Sequence, residues 1–194
     1  EKPEVRRIAH ESGLPTHAKK DSTGICFIGE RRFRDFLSRY IPAKPGSIKS
    51  LEGKTLGKHE GVMFYTLGQR QGLGIGGVKD APDEPWYVVR KDVPSNTLYA
   101  AQGNNHKALF STGMLCKSIA WVDGSGPELP MKLMVKTRYR QDDQACLVEN
   151  DPEGFRITFD EAQRAVTPGQ WACFYTEDTC LGGGIIESTQ LLCP

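Results

Sequence analysis

Turn residues divide the second half of this 194-residue chain so closely that only short strands fit between them. Asp123-Gly124-Ser125-Gly126, Asp151-Pro152-Glu153-Gly154 and Pro168-Gly169 carry the Asp-Gly and Pro-Gly pairs that make tight turns. The runs between them predict strands over Met114–Val122, Met131–Arg138, Ala145–Glu149, Phe155–Phe159, Gln170–Tyr175 and Gly183–Ile186. Alternation in one of these runs puts Trp171, Cys173 and Tyr175 on a single face. Six short strands at this spacing favour an antiparallel β-barrel over residues 108–194, because closing the sheet removes its exposed edges.

The first half reads differently. Residues 1–24 look like a tether with a short helix from Arg6 to Glu11, ended by Gly13 and Pro15. Phe33, Phe36, Leu37 and Tyr40 recur at helical spacing and predict an amphipathic helix over Glu30–Tyr40, stopped by Pro42. A hairpin is expected from Ser47–Leu51 and Lys54–Leu56 around Glu52-Gly53. A second joins Trp86–Lys91 to Thr97–Ala101. The apolar and aromatic run Gly61–Arg70 fits either a short helix or a strand, and the helix is favoured. Polar Gln102-Gly103-Asn104-Asn105 marks a boundary, giving a small mixed α/β central domain over residues 25–107. The fold class is thus α+β and mostly β, and either domain is long enough to bury a core.

Composition excludes several function classes. No apolar run approaches the roughly 20 residues of a membrane helix, so no membrane association is expected, and free thiols in a chain of this size fit a reducing cytoplasm. The net charge of +1 hides a basic front: residues 1–60 hold 13 Lys/Arg against 8 Asp/Glu. That excess is a weak pointer to a polyanion, since helix faces are commonly charged. Six cysteines occur without a Cys-x-x-Cys pair, so neither a zinc ribbon nor another metal site is expected. Gly72-Leu73-Gly74-Ile75-Gly76-Gly77 matches a dinucleotide fingerprint formally. Val78 to Pro85, with two prolines and three acids, opens no helix after it, and the cofactor reading fails. The glycines fit a tight loop or a close backbone approach instead, to RNA with Gln69 and Arg70 beside it.

Cys26 is the thiol with a distinctive setting. It lies between Gly24 and Gly29, with Lys19 and Lys20 before it and Arg31 and Arg32 after, one turn ahead of the expected helix. Cations and a helix N-terminus both favour the thiolate, and reactive cysteines in such places have pKa values of roughly 3.5–7.5. A small buried hydrophobe beside Ile25, Phe27 and Ile28 is the competing reading, at even weight on chemistry alone.

Three blocks carry more information: Lys20 to Gly29 (KDSTGICFIG), Tyr65 to Gly74 (YTLGQRQGLG) and Cys180 to Ile186 (CLGGGII). Together they closely resemble the bacterial tRNA-specific 2-thiouridylases, from about Lys20 onward. The resemblance implies a barrel like the second domain of the elongation factors. It also implies that the chain is the later part of such an enzyme, without the N-terminal PP-loop domain that binds ATP with magnesium. The implied activity is sulfur transfer to C2 of the wobble uridine of tRNA, through adenylation and a cysteine persulfide. Cys26 matches the persulfide-bearing position, and a second cysteine of the absent domain would release the sulfur by forming a disulfide. Arg138, Tyr139 and Gln170 match tRNA-contacting positions. A sulfur-relay protein or a cysteine desulfurase is the implied donor. The remaining five cysteines match no catalytic position, and the chain alone is expected to be inactive. The residues by themselves also allow a non-enzymatic RNA-binding barrel module, or a stand-alone thiol redox enzyme using Cys26. Neither they nor the resemblance offer a methyl-donor site.

Overall fold

The computed structural model describes residues 1–19, 39–75, 84–138 and 141–192. Cys26, Tyr139, Cys193, most of the expected Glu30–Tyr40 helix and the end of the Gly72–Gly77 run lie outside these residues. The chain forms two compact units, residues 1–42 and 43–194.

The first unit contains α1 (Lys2–Glu11), which starts earlier than the sequence suggests because Pro3 suits a helical first turn. Arg7 reaches both Glu4 and Glu11 at 2.6 Å, one turn back and one turn on. Such exposed pairs add only a few tenths of a kcal/mol each, about 0.2–0.5. No residue of α1 is buried.

The second unit holds two sheets. The smaller is built from β1 (Gly46–Lys49), β2 (Thr55–His59), β3 (Trp86–Asp92) and β4 (Thr97–Gln102), in the order β2-β1-β4-β3. Both expected hairpins are present as antiparallel pairs, and β1 runs parallel to β4 at the centre. Ile48, Val88, Leu98 and Ala100 form its core, joined by Val62 and Tyr65. The Gly61–Arg70 run departs from expectation. It makes only a 3-10 turn at Val62–Phe64, after which Tyr65 is extended and Gly68 takes a φ of 77°. A helix cannot continue through these angles; apolar content there reflects packing onto the sheet.

The larger sheet comprises β5 (Phe110–Cys116), β6 (Ala120–Trp121), β7 (Met131–Lys136), β8 (Gln144–Asp151), β9 (Gly154–Arg164), β10 (Trp171–Thr176) and β11 (Thr179–Leu191). Its order is β10-β7-β8-β9-β5-β11-β6, and β10 also pairs with β11. That extra pairing closes a six-stranded antiparallel barrel, as the turn spacing suggested, with β6 attached outside the ring. The expected strand over Met114–Val122 is instead two, β5 and β6, because the chain leaves the ladder after Cys116. Inside the ring pack Met114, Leu133, Val135, Val148, Ile157, Phe174 and Ile186, all nearly inaccessible. Each such side chain contributes about 1.5–3 kcal/mol by leaving water.

One buried polar group gives the small sheet a pH dependence. His59 is 2% exposed, its Nε2 lies 3.1 Å from the Asn96 carbonyl, and its ring meets Tyr65 edge-on. Its Nδ1 is buried without a partner among the described residues. Nε2 therefore carries the proton and the ring is neutral; burial lowers its pKa from the ordinary value. Below about pH 6.5 the unfolded chain then binds a proton that the folded chain does not, so stability falls as pH falls. Urea unfolding should lose up to about 1.4 kcal/mol per pH unit from this group below that point. In His59→Gln the same titration should be flatter. An unchanged slope would mean that His59 protonates freely in the fold.

Candidate nucleic-acid interface

A groove of about 860 Å³ opens where the barrel meets the loop after the 3-10 turn, and both elements belong to the second unit. Its barrel wall comes from the outer faces of β7 and β10. In β7, Leu133 and Val135 point inward, which turns Lys136 out; Arg138, two residues on, also faces out, with its guanidinium partly buried. In β10, Ala172 and Phe174 point inward, which turns Trp171, Cys173 and Tyr175 to the groove. The face shared by these three residues is thus the face that lines the groove.

The turn carrying Arg138 is held by amides. Gln141 Oε1 accepts from the Thr137 N–H at 3.2 Å and the Thr137 hydroxyl at 2.9 Å. Gln141 Nε2 donates to Gln163 Oε1, and Gln163 Nε2 donates to Gln144 Oε1, each at 2.9 Å. Thr137 and Gln163 are buried, so this relay satisfies groups that would be expensive to leave unpaired. Arg138 itself spans the groove: its Nη2 donates to the Leu67 carbonyl at 3.1 Å and the Ala165 carbonyl at 3.0 Å. Burial of the guanidinium, then the neighbouring charge of Arg164, lower its pKa, but arginine remains cationic in proteins.

Gln170 follows a Thr167-Pro168-Gly169 turn closed by its own N–H to the Thr167 carbonyl at 3.2 Å. Gly169 has a φ of 86°, the value a type II turn needs after proline. The Gln170 carbonyl accepts from Ile186 N–H at 2.8 Å, so its backbone is fixed, and its amide has no hydrogen bond among the described residues. Arg138 and Gln170, two of the three residues expected to touch RNA, therefore line one groove. Tyr139 lies outside the described residues.

The opposite wall is Thr66 to Gln69. Gly68 N–H donates to the Val88 carbonyl at 2.8 Å, and Val88 N–H to the Gln69 carbonyl at 3.0 Å. A Cβ on Gly68 would lie 2.7 Å from Cβ of Ala165 and 3.2 Å from Arg164 Nη1, so only glycine passes there. The Gln69 side chain is occupied locally, accepting from Thr66 N–H at 3.0 Å and donating to the Gln71 carbonyl at 2.9 Å. These bonds shape the loop, and Gln69 also lines the groove. Lys136 pairs with Asp143 at 3.2 Å, which raises its pKa, and its Nζ lies 5.6 Å from the centre of the Tyr175 ring.

Sequence reasoning missed Arg164 and left Trp171 as a mere strand residue. Arg164 Nε donates to the Asn104 carbonyl at 3.0 Å and its guanidinium lies 5.0 Å from the Tyr87 ring centre. It buttresses the loop from behind. No sequence signal marks it, because the polar run Asp160 to Arg164 reads as a loop.

Among the described residues no group of three His, Cys, Asp or Glu side chains could hold a metal ion. Nor is any helix among them long and apolar enough to cross a membrane. Cys116, Cys146, Cys173 and Cys180 are free thiols. Burial pushes Cys116 and Cys146 up to about 12, which makes them unreactive.

Comparison with known proteins covers nearly all of the chain. Residues 34–102 match a family model described as tRNA methyl transferase PRC-barrel domain. Residues 111–186 match one described as aminomethyltransferase beta-barrel domain. Residues 1–30 match one described as tRNA methyl transferase HUP domain. The tRNA-specific 2-thiouridylase MnmA of Pseudomonas aeruginosa is 58% identical over 190 residues, 98% of this chain and 51% of that protein. The protein of the same name from Pseudomonas fluorescens is 60% identical over 187 residues, 96% of this chain and 50% of that protein. The chain thus spans about half the length of the curated relatives it matches.

Proposed function

The chain belongs to the bacterial tRNA-specific 2-thiouridylase family, and on that premise we propose that it holds tRNA in the barrel groove while Cys26 carries sulfur to C2 of the wobble uridine. The observation that carries the RNA half of this reading is the convergence of Arg138 and Gln170 on one groove. A guanidinium offers a planar fork to a phosphate, and an amide can both donate to and accept from a base or ribose.

The sulfur half rests on chemistry and kinship. The C2 oxygen of uridine is a poor leaving group, and adenylation by ATP, with magnesium, is the proposed means of activating it. The terminal sulfur of a Cys26 persulfide would attack C2, and the oxygen would leave with AMP. A second thiol would then attack Cys26 Sγ, forming a disulfide and leaving the sulfur on C2 as the thiocarbonyl. ATP and magnesium are proposed, from the family resemblance, to be held by an N-terminal PP-loop domain, and no described residue is assigned to the activation step. The sulfur itself would come from a sulfur-relay protein or a cysteine desulfurase, by attack of the Cys26 thiolate on a donor persulfide.

Arg138→Ala should weaken tRNA binding roughly tenfold, the range for a hydrogen bond to a charged group. It should also make the slope of log K against log salt shallower by about 0.7–0.9, one phosphate's worth. Arg138→Lys should restore the slope and only part of the affinity, because the fork is lost. Filter binding across a salt series reads both. An unchanged slope in Arg138→Ala would confine Arg138 to bridging Leu67 and Ala165.

A further inference from the structure

We propose that Trp171 is a stacking platform for an unpaired nucleobase in the barrel groove. The inference rests on the reading of that groove as an RNA site, and names the part of the RNA it takes.

Trp171 is 56% exposed, although tryptophan is among the side chains that gain most from burial. Its strand has an interior: Ala172 and Phe174 are fully buried, so the indole is turned outward by strand alternation. Beside it the register partner Ile185 is 49% exposed, so apolar surface continues from Trp171 onto β11. The other barrel tryptophan, Trp121, packs against the core.

The indole is also held. A Cβ on Gly183 would lie 3.5 Å from Trp171 Cε3 and 3.6 Å from Cys173 Sγ. One edge of the ring thus lies over the space that glycine leaves bare at Gly183, on the neighbouring strand β11. A ring supported on one side and open on the other can accept a base without rearranging. Its surroundings suit a nucleotide. Gln170 precedes it in sequence, and Arg138 and Lys136 line the same groove. Aromatic rings beside cations are the usual means of gripping splayed-out bases. Paired bases in a helix keep their faces covered by their neighbours.

The test uses the full-length protein and two RNAs, an anticodon stem–loop with an unpaired wobble uridine and a blunt duplex of similar length. Trp171→Ala should weaken stem–loop binding roughly 5- to 100-fold, the range for losing one base–aromatic stack. Duplex binding should stay as in the wild type, and the salt slope should not change, because no phosphate contact is removed. Trp171→Phe should recover most of the loss. Stem–loop binding should quench the tryptophan emission of the wild type much more than that of Trp171→Phe. If Trp171→Ala binds the stem–loop like the wild type while Arg138→Ala does not, the platform is wrong and the groove stands. If the wild type binds neither RNA, the groove reading fails, and this inference with it.

Discussion

Cys26→Ser should make no 2-thiouridine while binding tRNA as well as the wild type. Serine preserves size and polarity, but a hydroxyl oxygen cannot carry a transferable sulfane sulfur, so the effect is loss of chemistry and not of fold or affinity. The assay is ATP-dependent thiolation of tRNA by the full-length protein with a persulfide donor, with mass spectrometry to trap the persulfide on Cys26. Three of the four described thiols are poor substitutes. Cys116 and Cys146 are buried and pushed up to about 12, and burial, then the neighbouring Cys180, raise the Cys173 pKa. Normal turnover in Cys26→Ser would remove the sulfur half of the proposal and favour an RNA-binding module.

The largest stability effect is expected in the barrel. Phe174→Ala should cost about 3–5 kcal/mol, the range for emptying an aromatic site in a core. Phe174 has no exposed surface, and its ring centre lies 6.0 Å from that of Trp121. Domains are stable by only about 5–15 kcal/mol, so this single change removes about a fifth of the margin at the least and all of it at the most. It should also weaken tRNA binding on warming, because Phe174 lies between Cys173 and Tyr175 in β10 and fixes which face they show. Phe174→Leu should cost much less. Urea unfolding measures both, and a loss below about 1 kcal/mol for the alanine variant would mean that the site collapses without consequence.

Much of this fold was legible because its signals are local. Alternation in Met131–Lys136 and Trp171–Thr176, with the Pro168-Gly169 turn, marks the two strands that later line the groove. Strand ends were less legible where pairing is made by the backbone. β9 runs on to Arg164 through a polar stretch, because Gln163 and Arg164 pair with Ser111 and Phe110 beyond a bulge. β11 extends to both sides of its apolar centre for the same reason, with Gln190 and Leu191 paired to β5. Gly61–Arg70 misled because its apolar residues answer to tertiary packing, not to a helical period. In the groove, Arg138 and Gln170 came from kinship. Arg164 and the local engagement of Gln69 depend on contacts across 60 and 3 residues respectively, and only the first is beyond the reach of a sequence window.

The closure of the barrel bears on when the protein can first recognise anything. β7 and β10 stand side by side in the ring, with Cys173 opposite Lys136, yet β8 and β9 are made between them. Contacts so far apart in sequence form late, because the entropy of closing the loop must be overcome before they return anything. A chain emerging from the ribosome as far as Arg164 already has Arg138, but it has neither Gln170 nor Trp171 to face it. The groove comes into being only when synthesis has passed β10 and the ring has shut. An unfinished or misfolded copy therefore lacks the assembled groove, so whatever the groove holds has to wait for the ring to close.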